Sequence, residues 1–183
     1  MREVFTSEQW LPFPRPLVFA FFANPQNLPP LMPGWQKARI DQASYCAPPP
    51  RPEGTPDYGT QAAGDGTRLT ITARAIPGLP LRAPWDALIE DFRWNEGFCD
   101  VQLKGPFKYW RHCHSVRDGQ SPKTGAAGTV VRDHVTYELP LQPLSLLGLP
   151  VARGAMLSLF KFRQARAAEL LPRFAKQTET QHP

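Results

Sequence analysis

Polar and apolar residues alternate along most of this chain at the two-residue period of strands that cover a core on one face. The clearest run is 67–76, where Leu69, Ile71, Ala73 and Ala75 oppose Arg68, Thr70, Thr72 and Arg74. Residues 2–10 alternate well enough for a first strand, and 35–41 for a second. The run 82–93 sets Trp85, Ala87 and Ile89 against Asp86 and Glu90. Two more strands flank Gly105-Pro106, and a last one is expected over 129–139. Prolines punctuate the opening: Pro16 suits the first turn of a helix over 17–23, because its missing N–H costs nothing there. Asn24-Pro25 reads as an N-cap and first-turn proline of a second short helix, which Pro29, Pro30 and Pro33 hold to little more than a turn. Helical periodicity is sustained only near the end, over 150–174. There Met156, Phe160, Ala167, Leu171 and Phe174 make one apolar stripe, and Pro172 should end or kink the last turn.

Composition narrows the class. At 183 residues the chain is one domain by size, expected over 1–176, with 177–183 as a flexible tail. Hydrophobic residues at 42% and charged ones at 20% are ordinary for a globular protein. No apolar run reaches the length of a membrane span, and the charged start MREVFTSEQW does not resemble a signal peptide, so a cytoplasmic protein is expected. The net charge of +5 is spread along the chain; its densest group, Lys161, Arg163, Arg166, Arg173 and Lys176, reads as a solvated helix face, so no nucleic-acid partner is expected. Segment 46–66 has five prolines and four glycines in 21 residues, too little apolar surface to offset its ordering, and is expected to be a mobile loop insertion. Cys46, Cys99 and Cys113 fit neither a zinc knuckle nor a disulfide framework and are expected as thiols.

A strand, two short helices, about six antiparallel strands and a long terminal helix define an α+β topology. On that order the chain resembles the START-like, or helix-grip, superfamily (SRPBCC), which includes polyketide cyclase/dehydrase-like and coenzyme-Q-binding proteins. The matching stretches are LPFPRPLVFAFFANPQNLPPLMP, WDALIEDFRWNEGFCDVQLKGPFKYWRHCHSV, GTVVRDHVTYELP and LFKFRQ. The resemblance implies a curved antiparallel sheet of six or seven strands gripping the helix, with a cavity between them for a hydrophobic or amphipathic ligand.

Face and register locate the candidate chemistry. On the last strand Val131, Asp133, Val135, Tyr137 and Leu139 share the apolar face, so Asp133 points inward. On the middle strand Trp110 and Val116 bracket His112 and His114. A two-residue turn at Gly105-Pro106 would pair Asp100 with Arg111 on the outer face. A three-residue loop at 105–107, which pairs Asp100 with His112 and Gln102 with Trp110, is favoured because neither primed two-residue turn wants proline second. It also sets Cys99 opposite Cys113 on the outer face, where they could bridge if oxidised. Placing Val116 beside Thr129 would set His112 beside Asp133 and Trp110 beside Val135.

The expected ligand wall is Leu69, Ile71, Trp85, Ile89, Trp110, Val135, Tyr137, Met156 and Phe160, over a polar floor of Asp100, Gln102, His112, His114 and Asp133. A histidine between two carboxylates would be held protonated, as an anchor for an anionic or enolic group or as a proton relay. The enzyme alternative is a cyclase or dehydratase using His112, His114, Asp100 and Asp133 for proton transfer, with Tyr137 assisting. A third class, a partner-binding module, has nothing in the sequence to select it. His112-x-His114 with Asp100 has the makings of a metal site, but no further ligand motif supports it, and neither metal nor cofactor is expected.

Overall fold

A computed structural model describes residues 1–74, 78–140 and 148–181, with side chains to Thr178. The predicted strands 75–76 and 139 therefore end partly outside, or at the edge of, the described segments. Among the described residues seven strands form one antiparallel sheet: β1 (Glu3–Leu11), β2 (Arg39–Ser44), β3 (Arg68–Arg74), β4 (Arg82–Arg93), β5 (Gly97–Lys104), β6 (Tyr109–Gln120) and β7 (Ala127–Glu138). Their spatial order is β1-β7-β6-β5-β4-β3-β2, so the first strand closes against the last and the others form a meander. Helix α1 (Arg15–Ala23) and three 3₁₀ turns carry the chain from one sheet edge to the other, and α2 (Leu149–Gln181) follows the sheet. None of the described helices is long and apolar enough to cross a membrane.

The local rules account for most boundaries. Pro16 falls in the first turn of α1, which begins two residues earlier than expected, at Arg15. The Asn24 side chain accepts the Gln26 backbone N–H at 3.1 Å and opens a single 3₁₀ turn, Pro25–Asn27. The second strand lies further on than 35–41. Gly34–Gln36 is a 3₁₀ turn and Lys37 takes a left-handed φ of 45°, so extended pairing starts only at Arg39.

Helix α2 grips through the stripe read from the sequence: Met156, Phe160, Ala167, Leu171 and Phe174 are all buried. It also runs past Phe174 to Gln181, straight through Pro172, and takes in residues expected to be a tail. Thr178, buried one turn beyond Phe174, returns its hydroxyl to the Ala175 carbonyl at 2.8 Å and continues the stripe. On β1, Ser7 accepts a hydrogen bond from the Gln164 amide at 2.7 Å, while Gln9 donates to the Gln164 carbonyl at 2.8 Å. The buried Glu3 carboxylate accepts Arg153 from the first turns of α2.

Segment 46–66 is irregular, as expected, but it is held at many points rather than free. Ala63 N–H donates to Ala23 O at 3.0 Å, Gly64 N–H to Cys46 O at 3.0 Å and Gly66 N–H to Ile89 O at 2.9 Å. Asp65 accepts the Phe92 N–H at 2.8 Å, and the Trp94 indole donates to Pro49 O, also at 2.8 Å. Ala62 and Ala63 enter the core, and Gly64 lies so close to Pro48 that a Cβ would stand 2.5 Å from its backbone. Backbone bonds and close approach, which composition does not encode, do here what large apolar side chains do elsewhere.

Cys99 and Cys113 are opposed on β5 and β6, as the register reading had them, with Cα atoms 4.0 Å apart. They form a disulfide, which corrects the expectation of thiols; direct opposition across antiparallel strands supplies the approach a bridge needs. Closing a loop of 14 residues removes about 3 kcal/mol of unfolded-state freedom in the chain-entropy account. The gripping stripe has a direct check in urea denaturation. Leu171→Ala, at a fully buried position, is expected to cost about 2–5 kcal/mol. Leu157→Ala, on the outer face of the same helix, should change stability by less than about 0.5 kcal/mol.

Candidate functional site

Four titratable side chains meet on the inner face of the central strands. Asp100 comes from β5, His112 and His114 from β6, and Asp133 from β7. Asp100 is directly opposite His112, the pairing that the three-residue loop predicts. That loop is fastened by Gln102, whose amide donates to Phe107 O at 2.7 Å while its oxygen accepts Phe107 N–H at 3.3 Å. Gln102 thus spends its polar atoms on the turn that sets the register.

On the other side the register differs from expectation by two residues. Val116 faces Val131, His114 faces Asp133, His112 faces Val135 and Trp110 faces Tyr137. The cause is the connection after β6. Ser121 N–H bonds to Ala126 O at 2.8 Å and the Ser121 hydroxyl accepts the N–H groups of Lys123 and Thr124, so pairing begins at Gln120–Ala127. A slip of two keeps every side chain on its face, since the strand period is two. Asp133 therefore still points inward, and it reaches His112 diagonally.

The resulting contacts form a continuous chain. Asp100 Oδ2 is 3.0 Å from His112 Nδ1, and Asp133 Oδ1 is 3.0 Å from His112 Nε2. The same Asp133 oxygen is 2.8 Å from His114 Nδ1, but off the line of a good hydrogen bond, so that buried nitrogen is left without a well-aligned partner. Trp110 donates its indole N–H to Asp100 Oδ1 at 3.3 Å. His112, His114 and Asp133 are buried; the Asp100 side chain keeps 23% of its surface, so the row opens to solvent at that end.

Burial and charge sort the protons. Burial penalises both carboxylates, yet the His112 imidazolium holds Asp100 below the usual carboxylate range. Contacts from both imidazoles likewise outweigh burial and hold Asp133 far below that range. For His112, burial favours the neutral ring, but the charge of Asp100 and the hydrogen bonds of both carboxylates win and raise it. His114 goes the other way: burial and the neighbouring His112 cation lower it more than Asp133 lifts it. The row thus favours charge on Asp100, His112 and Asp133 and a neutral ring at His114.

The surroundings are aromatic. Phe160 stands edge-on to His112 at 5.4 Å between ring centroids, and Phe22 and Phe98 flank His114 at 5.6 and 5.0 Å. Of the expected wall, Trp110, Val135, Tyr137, Met156 and Phe160 form one apolar cluster, with Trp85, Phe107 and Phe5 against it. Ile89 belongs to a second cluster, around α1 and the far half of α2, so the polar row lies between two apolar cores. Arg163 escaped the sequence reading, which left it on a solvated helix face. It is half-buried, its guanidinium carbon sits 5.4 Å from the Phe160 ring centre, and its charge acts on Asp100 and His114. Its position four residues before the buried Ala167 was the available signal.

Two open clefts lie elsewhere. One, of about 480 Å³, is lined by Asn24, Tyr58, Gln61, Phe174 and Gln177. The other, of about 530 Å³, is lined by Gln42, Arg68, Thr70, Asp86 and Leu103. Neither includes the Asp–His row.

Scans of this chain against protein-family models and against curated proteins find no match. Solved structures do match. Ara h 8.0201 aligns with a TM-score of 0.57 at 13% identity, over 92% of this chain and 99% of that one. TTHA0849 from Thermus thermophilus aligns with a TM-score of 0.51 at 16% identity, over 99% of this chain and 100% of that one. Topology and these alignments together show the fold, an antiparallel sheet with a long C-terminal helix in the helix-grip arrangement. At such identities the likeness is one of fold, and function has to be argued from the site.

The charge pattern has a pH signature. Asp100 and Asp133, held below their ordinary values, lend stability that is present above about pH 4 and lost as pH falls toward their folded values. His112, held above its ordinary value, lends stability that is complete below about pH 6.5 and fades as pH rises past its folded value. His114 has the opposite slope, its contribution being lost as pH falls below about 6.5. The unfolding free energy lost in His112→Gln is therefore expected to be largest near about pH 5.5 and to shrink toward about pH 9. Urea titrations across that range check it, and a pH-independent loss would mean an uncharged His112.

Proposed function

We propose that this protein binds a small hydrophobic or amphipathic molecule, of lipid, polyketide or isoprenoid type, between the sheet and the first half of α2. The observation that carries the reading is the uneven grip of α2. Between Pro150 and Leu159 only Met156 is buried, whereas the later turns bury Phe160, Ala167, Leu171 and Phe174.

Beneath those turns lie Trp85, Phe107, Trp110 and Tyr137, a wide aromatic floor that α2 meets through Met156 and Phe160. The first half of the helix, 149–164, thus buries Met156 and Phe160, where 165–178 buries Ala167, Leu171, Phe174 and Thr178, so its start is the more lightly packed part. A ligand would take the place of Met156 on Trp110 and Tyr137, with its polar end toward Asp100, His112 and Arg163. An ammonium or hydroxyl would meet Asp100, and a carboxylate would meet Arg163. The aromatic walls supply affinity and the few polar groups supply orientation, the usual division in such sites.

A second reading has one specific observation behind it. His112 and His114, neighbours on one strand, are pushed in opposite directions, and such pairs are how a single fold runs acid and base steps together. In that reading His114 takes a proton and His112 gives one, as in the cyclase or dehydratase alternative. The Asp–His row serves either role.

Native mass spectrometry of freshly purified protein, followed by organic extraction, is expected to show a bound apolar molecule. Titration with the fluorescent probe 1-anilinonaphthalene-8-sulfonate should saturate at one site and quench tryptophan emission. Met156→Trp, which fills the space over Trp110, should weaken the probe about tenfold or more, the loss of one well-packed apolar contact. An empty protein with no saturable probe binding would sink the proposal.

A further inference from the structure

We propose that Asp100, His112 and His114 form a binding site for a divalent transition-metal ion, with Asp133 as the carboxylate that orients both imidazoles. The inference stands on the geometry of the sheet and holds whether or not an apolar ligand is found.

The ligand set is built by backbone rules. Histidines at i and i+2 of a strand share one face, and β6 places both toward the core. Asp100 is directly across from the first of them. One ligand atom from each of the three residues can be chosen so that all lie within 4.8 Å of one another. Metal–nitrogen and metal–oxygen bonds of roughly 2.0–2.2 Å place the ligand atoms of a tetrahedral ion about 3.4 Å apart, within reach of small side-chain rotations. Histidine rings 4.1 Å apart between centroids and tilted by 58° are close neighbours that are not stacked face to face.

Asp133 decides which nitrogens are free. Its Oδ1 faces Nε2 of His112 at 3.0 Å and Nδ1 of His114 at 2.8 Å. With a carboxylate there to take one N–H from each ring, an ion that displaces the proton between His112 Nδ1 and Asp100 would find lone pairs on Nδ1 of His112 and Nε2 of His114. That is the outer-sphere arrangement metal-bound histidines use, in which the second ring nitrogen donates to a carboxylate. Nδ1 of His112 is also the atom already turned to Asp100, at 3.0 Å from Oδ2.

A separate observation points the same way. His114 is buried, and its Nδ1 approaches Asp133 without a well-aligned hydrogen bond. An imidazole buried in that state costs free energy that an alternative partner would recover. An ion on Nε2 would turn the ring and bring Nδ1–H into line with Asp133. A divalent ion would also take over, beside Asp100 and Asp133, the positive charge that the His112 proton supplies.

Two nitrogens and one carboxylate suit zinc, ferrous iron or cobalt rather than calcium or magnesium, which favour all-oxygen shells. Three protein ligands leave further coordination positions for water or a bound molecule. Asp100 is the partly exposed member of the set, so those positions and the route of entry lie on its side, where the proposed ligand's polar end would rest.

The test uses the full chain, stripped with EDTA and dialysed. Zinc titrated by calorimetry is expected to bind at one ion per chain, and cobalt(II) to give visible d–d absorption that zinc abolishes. Asp100→Asn and His114→Gln should each weaken zinc by about a hundredfold, as loss of a ligand. Asp133→Asn should weaken it by about ten- to a hundredfold, as loss of the orienting carboxylate. His134→Gln, on the opposite face of β7, should leave binding unchanged. Wild-type protein that takes up no ion, or that binds equally well without Asp100 and His114, overturns the proposal. The wild-type result decides on its own if a variant does not fold. Because apolar-ligand binding is read by probe fluorescence and mass, and the ion by calorimetry and cobalt absorption, failure of one proposal is distinguishable from failure of the other.

Discussion

A carboxylate buried at Asp133 is the constraint from which the interior follows. An isolated charge in that position would be prohibitive, so it has to be answered by donors held in place. Both donors come from one neighbouring strand, two residues apart, and one of them is fixed from its far side by Asp100. The row therefore ties β5, β6 and β7 together through side chains as well as through the ladder. It also divides the apolar interior, with α1 and the second half of α2 packing on one side and the aromatic floor on the other. One half of the molecule is conventionally packed. The other sets Met156 and Phe160 on an aromatic base beside the polar row.

Much of this arrangement was legible in the sequence, because it is governed by period and by turn chemistry. Alternation in β7 put Asp133 inside, and proline at Pro106 argued for the three-residue loop that pairs Asp100 with His112 and Cys99 with Cys113. The pairing of β6 with β7 was not legible to better than two residues. Side-chain pattern fixes the face, but register depends on where the connecting turn closes, and the bonds at Ser121 carry no hydrophobic signal. Residues 46–66 carry little hydrophobic signal for a related reason: backbone groups and small residues make that segment's bonds. Arg163 was hidden because a charged residue beside an apolar stripe usually snorkels to water, whereas this one lies along Phe160.

The structural alignments place the fold securely and leave the chemistry to the residues. Ara h 8.0201 and TTHA0849 share the layout of sheet and helix with this chain at 13% and 16% identity. A sheet that curls around a helix can keep its shape while nearly every inward side chain changes, because the shape is set by strand order, bulges and helix length. The sheet here bends where register shifts interrupt β2 and β4. The Asp–His row is thus a property of this chain's inner surface, superimposed on a general frame.

The pairing of β1 with β7 has a consequence in time. Among the described strands Glu3–Leu11 is made before the others and Ala127–Glu138 after them, so β1 waits through more than a hundred residues of synthesis before its ladder can exist. Contacts that distant close slowly compared with the neighbouring β4–β5 and β5–β6 hairpins. Asp100 and His112 can thus meet while the chain is still growing, and Asp133 arrives only with the strand that completes the sheet. The polar row is assembled in two instalments, and the second coincides with closure of the fold.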